Sequence, residues 1–369
     1  MSLGSGVALV TERIVKPVEE MHRAIARPWF AAFGPLGRPV GWAHGLVSGV
    51  VYASVRVGAA AVGVGIDART AAESSAAGRL RAFVNGLWGD SLGRQEPRLG
   101  TPMSVHDLSG DPVPCGPEIA AAFPSATGHL VVLVHGLMES ERCWDGTDIT
   151  PGMVRAIEEH PGLTPVAVRY NTGLSIESNG ARLASLVEAL HDAWPLPVQS
   201  ISIVGHSMGG LIARGACVAG VRAGHRWIED VTDVVTIGTP HEGAPLEKFA
   251  NLVAWGLGVT SQTRPLADFL DSRSRGIKDL RFGTIDDAED TLGALSHIDH
   301  HLVGGVVTSN PDHPVGAIVG DLMVRPASST RARGLDPTNV LVVGSARHSD
   351  LLHDSAVIDT VVRWLAPTR

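Results

Sequence analysis

Two segments of the chain fit the pattern G-x-S-x-G, which places a serine hydroxyl on a sharp turn between a strand and a helix. They are Gly205-His206-Ser207-Met208-Gly209 and Gly89-Asp90-Ser91-Leu92-Gly93. A serine in this position attacks a carbonyl carbon once a neighbouring base removes its proton. The apolar run SISIV precedes Ser207, and the helix-like run MGGLIARGACV follows it. This context favours Ser207 as the nucleophile.

The second segment keeps an alternative open, because Gly-Asp-Ser-Leu is the signature of another serine hydrolase family. That family also carries D-x-x-H near its C-terminus, which Asp350-Leu351-Leu352-His353 supplies. Its nucleophile, however, follows a first β-strand, and a G-x-N-D block lies between the two motifs. Ser91 follows a helix-like segment, and the sequence contains no Asn-Asp pair. We therefore rank this interpretation below the one centred on Ser207.

Four parts of the sequence together resemble the α/β-hydrolase serine esterases and lipases. They are VVLVHGLMES, SISIVGHSMGGLIAR, VVTIGTPHEGAP, and the C-terminal GDLMVRPASS followed by HSDLLHDSAV. The likeness is to triacylglycerol lipase-like and GPI inositol-deacylase-like members, and it covers about residues 125–369. The resemblance implies a mostly parallel sheet flanked by helices, and a Ser–acid–His order along the chain.

The resemblance assigns the general base to His348, one of sixteen histidines. This histidine follows the apolar run NVLVVG and precedes LLHDSAVIDTVVRWL, which predicts the last helix. Related lipases carry their base at such a junction, often as H-x-x-L-L, and residues 348–352 match. His353 is expected to be an ordinary helix residue. A loop histidine without a catalytic role is the alternative for His348.

The same resemblance assigns the acid to Asp321, which would orient the imidazole and stabilise its protonated form. The family pattern G-D-x-x-V, followed by Ser or Ala, matches residues 320–324 and then Ser328-Ser329. We expect an apolar strand directly before Asp321. Asp312 and Asp350 are the rival carboxylates, and an aspartate in such a loop often caps a helix instead.

Two backbone N–H groups are needed to form an oxyanion hole. One is expected from Met208, the residue after the nucleophile. The other is expected from Leu137, which follows the pair His135-Gly136 at the end of the apolar run HLVVLV. Gly136 would allow the close approach, although a glycine here also suits an ordinary turn.

The remaining histidines that attract attention are not included in the site. Similar lipases use the Thr-Pro-His stretch around His241 as a structural loop. The cluster of His297, Asp299, His300 and His301 raises a metal site, yet no further ligands follow at suitable spacing. We expect no metal, and the reaction needs no cofactor.

Short apolar runs alternate with helix-like stretches from residue 101 onward, as a parallel sheet covered on both faces requires. The runs are HLVVLVHG (129–136), PVAVRY (165–170), SISIVG (200–205), DVVTIG (233–238), HLVGGVV (301–307) and NVLVVG (339–344). Helix-like stretches include residues 181–194 and 211–221. Residues 243–300 interrupt the alternation. Their apolar face around Trp255 suits a lid over an acyl pocket, and packing on the core is the alternative.

The sequence predicts an added helical region over residues 1–100 and the catalytic domain over residues 101–369. The net charge of −8 divides unevenly, since residues 1–100 hold 11 basic and 7 acidic side chains and the remainder holds 19 and 31. An acidic total argues against a nucleic-acid-binding protein, which needs a basic surface. Three roles stay open for residues 1–100: covering the mouth of the active site, forming a homodimer, and peripheral contact with an anionic membrane.

Three cysteines are too few for a disulfide scaffold or a Cys-based zinc site. No secretory signal is visible at the N-terminus, so we expect a cytoplasmic enzyme unless residues 1–100 bring it to a membrane. The preference for Arg over Lys is typical of a bacterial genome of high GC content.

Together these residues predict an esterase or lipase that hydrolyses esters of hydrophobic acids through an acyl-enzyme. Ser207 attacks, His348 transfers the proton and Asp321 orients the imidazole. An amidase and a polyester depolymerase use the same groups, so both stay open. A non-catalytic binding protein of the same fold is the opposing class, and a complete catalytic set argues against it.

Overall fold

The computed structural model describes residues 101–146, 150–244, 274–280 and 294–367, together with positions 19, 48, 82, 85, 86, 89 and 90. Most of the predicted lid at 243–300 and nearly all of the predicted helical region at 1–100 lie outside the described residues. The chain divides into two compact units. One comprises residues 1–80, 92–99 and 249–273, and the other comprises residues 81–91, 100–248 and 274–369. The predicted domain boundary after residue 100 stays a prediction.

One eight-stranded sheet, with all its strands in the second unit, organises the described residues in the order β2-β1-β4-β3-β5-β6-β7-β8. The strands are β1 Ser104–His106, β2 Pro112–Val113, β3 His129–Val134, β4 Thr164–Arg169, β5 Ser200–His206, β6 Val231–Ile237, β7 Asp299–Gly305 and β8 Asn339–Val343. Strands β3 to β8 are parallel, and β1 pairs antiparallel with β2 and β4. The mostly parallel sheet is confirmed, and each of the six predicted apolar runs overlaps a strand.

Helices flank this sheet. They are α1 Glu118–Ala122, α2 Met153–Glu158, α3 Ile176–Ala193, α4 Met208–Ala223, α5 Arg275–Asp279, α6 Pro314–Val319, α7 Pro326–Ser329 and α8 Ser355–Leu365. Three 3-10 turns span Glu141–Trp144, Arg226–Asp230 and Asp350–Leu352. Helices α3 and α4 correspond to the two predicted helix-like stretches. No helix within the described ranges combines the length and the apolar character needed to cross a membrane.

The central strands are buried from both sides, which explains why they are apolar without alternation. Each residue from Leu130 to Val134 in β3 is at most 1% exposed. One face of the sheet packs on α2 and α8 through a cluster of buried side chains, which includes Val131, Met153, Val204 and Val361. Burial of these apolar side chains therefore stabilises the parallel part of the sheet. The carboxyl ends of its parallel strands lie at one edge of the sheet.

Two local expectations are wrong. The apolar residues before Asp321 form helix α6 rather than a strand, because Pro314 starts a helix there and the His313 side chain accepts the Val315 N–H. His353 lies before the last helix rather than in it. The Asp354 carboxylate accepts the N–H groups of Ala356 and Val357, so that α8 begins at Ser355.

Candidate active site

Ser207 lies on the sharp turn between β5 and α4. Its φ of 52° and ψ of −120° are a conformation that residues other than glycine rarely adopt. The Ser207 N–H donates to the Ile237 carbonyl at the end of β6, over 2.8 Å. The strained strand–turn–helix conformation is the one that the motif around Ser207 predicts.

The two glycines of the motif are a steric requirement of this turn. A Cβ added at Gly209 would lie 2.1 Å from the Val134 carbonyl oxygen. A Cβ added at Gly205 would lie 2.5 Å from backbone atoms of Gly210. Because both obstacles are backbone atoms, no rotation of a side chain relieves the overlap.

Asp321 and His348 form a hydrogen-bonded pair across 27 positions of the sequence. Their atoms Oδ2 and Nδ1 are 2.7 Å apart, and the His348 backbone N–H donates to the Asp321 carbonyl over 2.9 Å. The other carboxylate oxygen of Asp321 accepts the N–H groups of Met323 and Val324, over 2.9 and 2.7 Å. The carboxylate is therefore held at both oxygens.

These contacts determine the charge of Asp321. Burial penalises the charged form and would by itself raise the pKa, but the charge and hydrogen bond of His348 and two backbone N–H groups hold the pKa of Asp321 below its ordinary 3.8. An ionised Asp321 accepts a hydrogen bond from His348 Nδ1–H. In the neutral imidazole, Nε2 is then the nitrogen that can take up a proton.

The rival carboxylates have other partners. The Asp350 side chain accepts the Arg347 N–H over 3.1 Å. Asp312 is exposed, and its backbone N–H donates to the side chain of Asn310. The structure thus brings His348 together with Asp321.

The imidazole of His348 lies beside the turn that carries Ser207. A Cβ added at Gly238 would lie 3.1 Å from His348 Cε1. The His348 ring centroid is 4.9 Å from that of His206. His206 directly precedes Ser207, and Gly238 directly follows the residue whose carbonyl accepts the Ser207 N–H. The His348 ring therefore lies close to the two backbone segments that meet at Ser207.

The loop after β3 approaches the serine from the other side. A Cβ added at Gly136 would lie 3.1 Å from the Cβ of Ser207, which is a tight contact. The Gly136 N–H donates to Glu139 Oε2 over 2.7 Å, and the Glu139 N–H donates to the Gly136 carbonyl over 3.3 Å. The loop is therefore closed by its own hydrogen bonds against the turn.

The two expected oxyanion donors lie at this junction. The Met138 N–H donates to the Thr172 side chain over 3.3 Å, whereas the Leu137 N–H has no acceptor among the described residues. Met208 is the first residue of α4, where an N–H has no helical carbonyl to bind and the helix dipole is positive.

Sequence reasoning missed one contact at the site. His206 Nδ1 and Glu139 Oε2 are 2.9 Å apart, and His206 is almost completely buried. The only local signals are a histidine inside the serine motif and a glutamate three positions after Gly136. Their pairing joins positions 67 apart, which no local pattern reveals.

The other candidate positions lie elsewhere. Gly89 and Asp90 are helical, and Ser91 is outside the described residues. The side chain of His241 contacts Arg214 and Thr236 rather than the proposed triad. Consecutive residues of a strand point to opposite faces, which separates His300 from His301 on β7. Across the described ranges, no group of three potential ligands is placed to hold a metal ion.

Comparison with known proteins adds a family match. A family model described as "Putative serine esterase (DUF676)" matches residues 124–291. No curated protein matches the chain significantly.

Similar solved structures include the mature lipase BlEst2 from Bacillus licheniformis, 20% identical, which covers 72% of this chain and 99% of its own, with a TM-score of 0.48. The metagenomic carboxyl esterase MGS0156 is 18% identical over 70% of this chain and 79% of its own, with a TM-score of 0.39. The esterase PF2001 from Pyrococcus furiosus is 16% identical over 65% and 81%, with a TM-score of 0.40. Residues 124–291 thus match a family of putative serine esterases, and this match together with the observed sheet identifies the chain as a carboxylic ester hydrolase with the α/β-hydrolase fold.

Proposed function

We propose that the chain hydrolyses carboxylic esters through an acyl-enzyme on Ser207. The Ser207 Oγ attacks the ester carbonyl while His348 Nε2 takes the hydroxyl proton. The tetrahedral intermediate expels the alcohol, which receives that proton from His348. Water then attacks the acyl-enzyme, again giving its proton to His348, and the carboxylic acid leaves as Ser207 regains its hydrogen.

The observation that carries this proposal is the 2.7 Å hydrogen bond between Asp321 and His348 beside the serine turn. It gives the imidazole a fixed tautomer and places an ionised carboxylate where the imidazolium develops. A binding protein of the same fold has no need of a buried, ionised Asp321 behind a histidine.

The developing oxyanion is assigned to the backbone N–H groups of Leu137 and Met208. Both come from segments that contact the serine turn, one from the loop after β3 and one from the start of α4. Donors fixed before the reaction stabilise the transition state without reorganising, and removal of one such donor costs about 10²–10³-fold in kcat. Because both donors are backbone groups, the sequence controls them through the conformation of Gly136 and Ser207.

The acyl group is proposed to be hydrophobic. This part of the proposal depends on the apolar sequence of residues 243–300, most of which lie outside the described residues. Amides and polyesters are attacked by the same groups, so substrate class has to be measured.

A series of p-nitrophenyl esters from acetate to palmitate tests the function. We expect kcat/KM to rise from acetate toward longer chains, and Ser207→Ala to reduce turnover of every ester by at least about 10⁴-fold. A matched p-nitroanilide and a polyester film test the two alternatives. Turnover of the anilide that equals that of the ester would replace the esterase proposal with an amidase. Undiminished ester turnover by Ser207→Ala would overturn the mechanism.

A further inference from the structure

We infer that Glu139 and His206 act as a positioning pair for the esterase reaction, an inference that rests on the proposed function. The pair joins three segments that the chemistry must hold together: the loop that carries Leu137, the turn that carries Ser207 and the loop that carries His348. Neither side chain is assigned to touch the substrate.

The hydrogen bonds of His206 connect these segments directly. One oxygen of Glu139, Oε2, lies 2.7 Å from the Gly136 nitrogen and 2.9 Å from His206 Nδ1. On the other side of the ring, His206 Nε2 lies 3.3 Å from the His348 carbonyl oxygen. The imidazole of His206 thus connects the loop after β3, which carries Leu137, with the loop that carries His348.

The partners of Glu139 keep its carboxylate ionised. Burial opposes ionisation of Glu139, but the His206 charge, the hydrogen bond from His206 and the Gly136 N–H hold the pKa of Glu139 at about 2. The ring therefore faces a carboxylate at Nδ1 and a carbonyl oxygen at Nε2. Both ring nitrogens therefore have an acceptor within hydrogen-bond distance, which fixes the orientation of the ring.

The pair lies where small displacements affect catalysis. A Cβ added at Gly136 would lie 3.0 Å from His206 Nδ1 and 3.1 Å from Ser207 Cβ, so the loop is in van der Waals contact with the turn. Glu139 is the acceptor that holds the Gly136 N–H, and Leu137 is the next residue. If Glu139 no longer holds Gly136, the Leu137 N–H moves relative to the serine.

This placement predicts a change in kcat rather than in KM. The oxyanion exists in the transition state and not in the bound ester, so a displaced donor weakens only transition-state binding. We expect Glu139→Ala to lower kcat by about 10–100-fold while KM stays within about three-fold of the wild-type value. Glu139→Gln keeps an oxygen for the Gly136 N–H, so its kcat should lie between the two.

Glu141 provides a matched control two positions along the same loop. It is buried and accepts two hydrogen bonds from Arg169, over 2.6 and 2.5 Å. Glu141→Gln disturbs a buried charged pair of the same type. We expect it to lower the melting temperature but to leave kcat within about three-fold of wild type.

The experiment measures kcat, KM and melting temperature for the full-length protein and its Glu139→Ala, Glu139→Gln, Glu141→Gln and Ser207→Ala variants on one soluble p-nitrophenyl ester. Titration with a fluorophosphonate gives the concentration of reactive sites, so that misfolded protein does not count as slow enzyme. A kcat loss in Glu139→Ala that Glu139→Gln partly restores and Glu141→Gln lacks would support the inference.

Two results would overturn it. One is a Glu139→Ala enzyme with wild-type kcat per titrated site, and the other is an equal kcat loss in Glu141→Gln, which would indicate general destabilisation. Ser207→Ala separates this inference from the function beneath it. If Ser207→Ala is inactive and Glu139→Ala is fully active, only the inference fails, whereas full activity of Ser207→Ala removes both.

Discussion

Asp321 decides which nitrogen of His348 carries the proton. Its Oδ2 accepts from Nδ1, while its Oδ1 is occupied by two backbone N–H groups, so the carboxylate has little freedom to turn. The proposed mechanism needs Nε2 free of a proton before attack and protonated afterwards. A single carboxylate therefore controls both states of the base.

The Asp321→Asn variant tests this control. The amide can keep its oxygen toward the backbone N–H groups of Met323 and Val324, and its NH2 group then faces His348 Nδ1 and favours the wrong tautomer. We expect kcat on a p-nitrophenyl ester to fall by about 10⁴-fold at neutral pH. Asp350→Asn is the control, because Asp350 bonds to Arg347 instead. A kcat within ten-fold of wild type would contradict the role given to Asp321.

The residues of the candidate site differ in the kind of sequence information that predicts them. Ser207 was predicted from its own neighbours, since the apolar run, the glycines and the helix-like run all adjoin it. Asp321 and His348 needed the resemblance to a family, because nothing within a few positions shows that they meet. Glu139 and His206 were missed because their contact depends on how β3 and β5 align in the sheet, which local spacing does not encode.

At the scale of elements, the turn between β5 and α4 limits which residues fit around Ser207. Gly209→Ala places a Cβ against the Val134 carbonyl, and we expect loss of ester turnover together with a lower melting temperature. Gly215 offers a control within the same helix, because a Cβ there would meet nothing closer than the Gly180 Cα at 3.8 Å. Gly215→Ala should keep full turnover and gain about 0.5–1 kcal/mol of stability. Equal behaviour of the two variants would contradict the steric account.

Elements with a long apolar pattern were predictable and short ones were not. The central strands follow from continuous apolar runs, because both faces of the sheet are covered. Strands β1 and β2 hold three and two residues at the sheet edge, too few for any periodicity to show. The apolar triplet Ala317–Val319 suits a strand or a helix equally, and Pro314 and the His313 cap decide for the helix.

At the scale of the whole molecule, three histidines with lowered pKa values make stability depend on pH. Loss of hydration lowers the pKa of His135 and His300 from 6.5 to about 4, and burial with the nearby Arg214 charge lowers the pKa of His241 well below 6.5. Below pH 6.5 the unfolded chain takes up protons that the folded chain does not. The neutral histidines therefore contribute fully to the free energy of unfolding above pH 6.5, and this contribution is lost as the pH falls toward 4. We expect the midpoint of urea unfolding to fall as the pH is lowered from 6.5 to 4. In His300→Gln, this midpoint should change less steeply with pH. A constant midpoint would contradict these pKa shifts.

We expect the segment just before residue 91 to stabilise the compact unit that contains Ser207 and His348. The Ser274 hydroxyl donates to the Gly86 carbonyl over 2.6 Å, and the Asn171 side chain donates to the Gly89 carbonyl over 3.1 Å. A Cβ added at Gly86 would lie 2.4 Å from Cγ of Met138, the residue after the proposed oxyanion donor Leu137. We expect a chain that begins at residue 81 to turn over a soluble ester faster, and to melt higher, than one that begins at residue 101. Equal turnover and melting temperature would contradict this.

The same truncated chains test the proposed membrane contact of residues 1–100. Binding to anionic vesicles should be lost when residues 1–80, which carry most of the basic charge of the first part, are removed. Unchanged binding would defeat this proposal without affecting the esterase.

The central claim is that Ser207 is the nucleophile, and covalent labelling tests it most directly. The wild-type protein is treated with a fluorophosphonate, and the modified peptide is identified by mass spectrometry, with Ser207→Ala and Ser91→Ala as the two comparison variants. The account predicts one label on Ser207, its loss in Ser207→Ala and its persistence in Ser91→Ala. Labelling that survives Ser207→Ala, or that disappears only in Ser91→Ala, would contradict it.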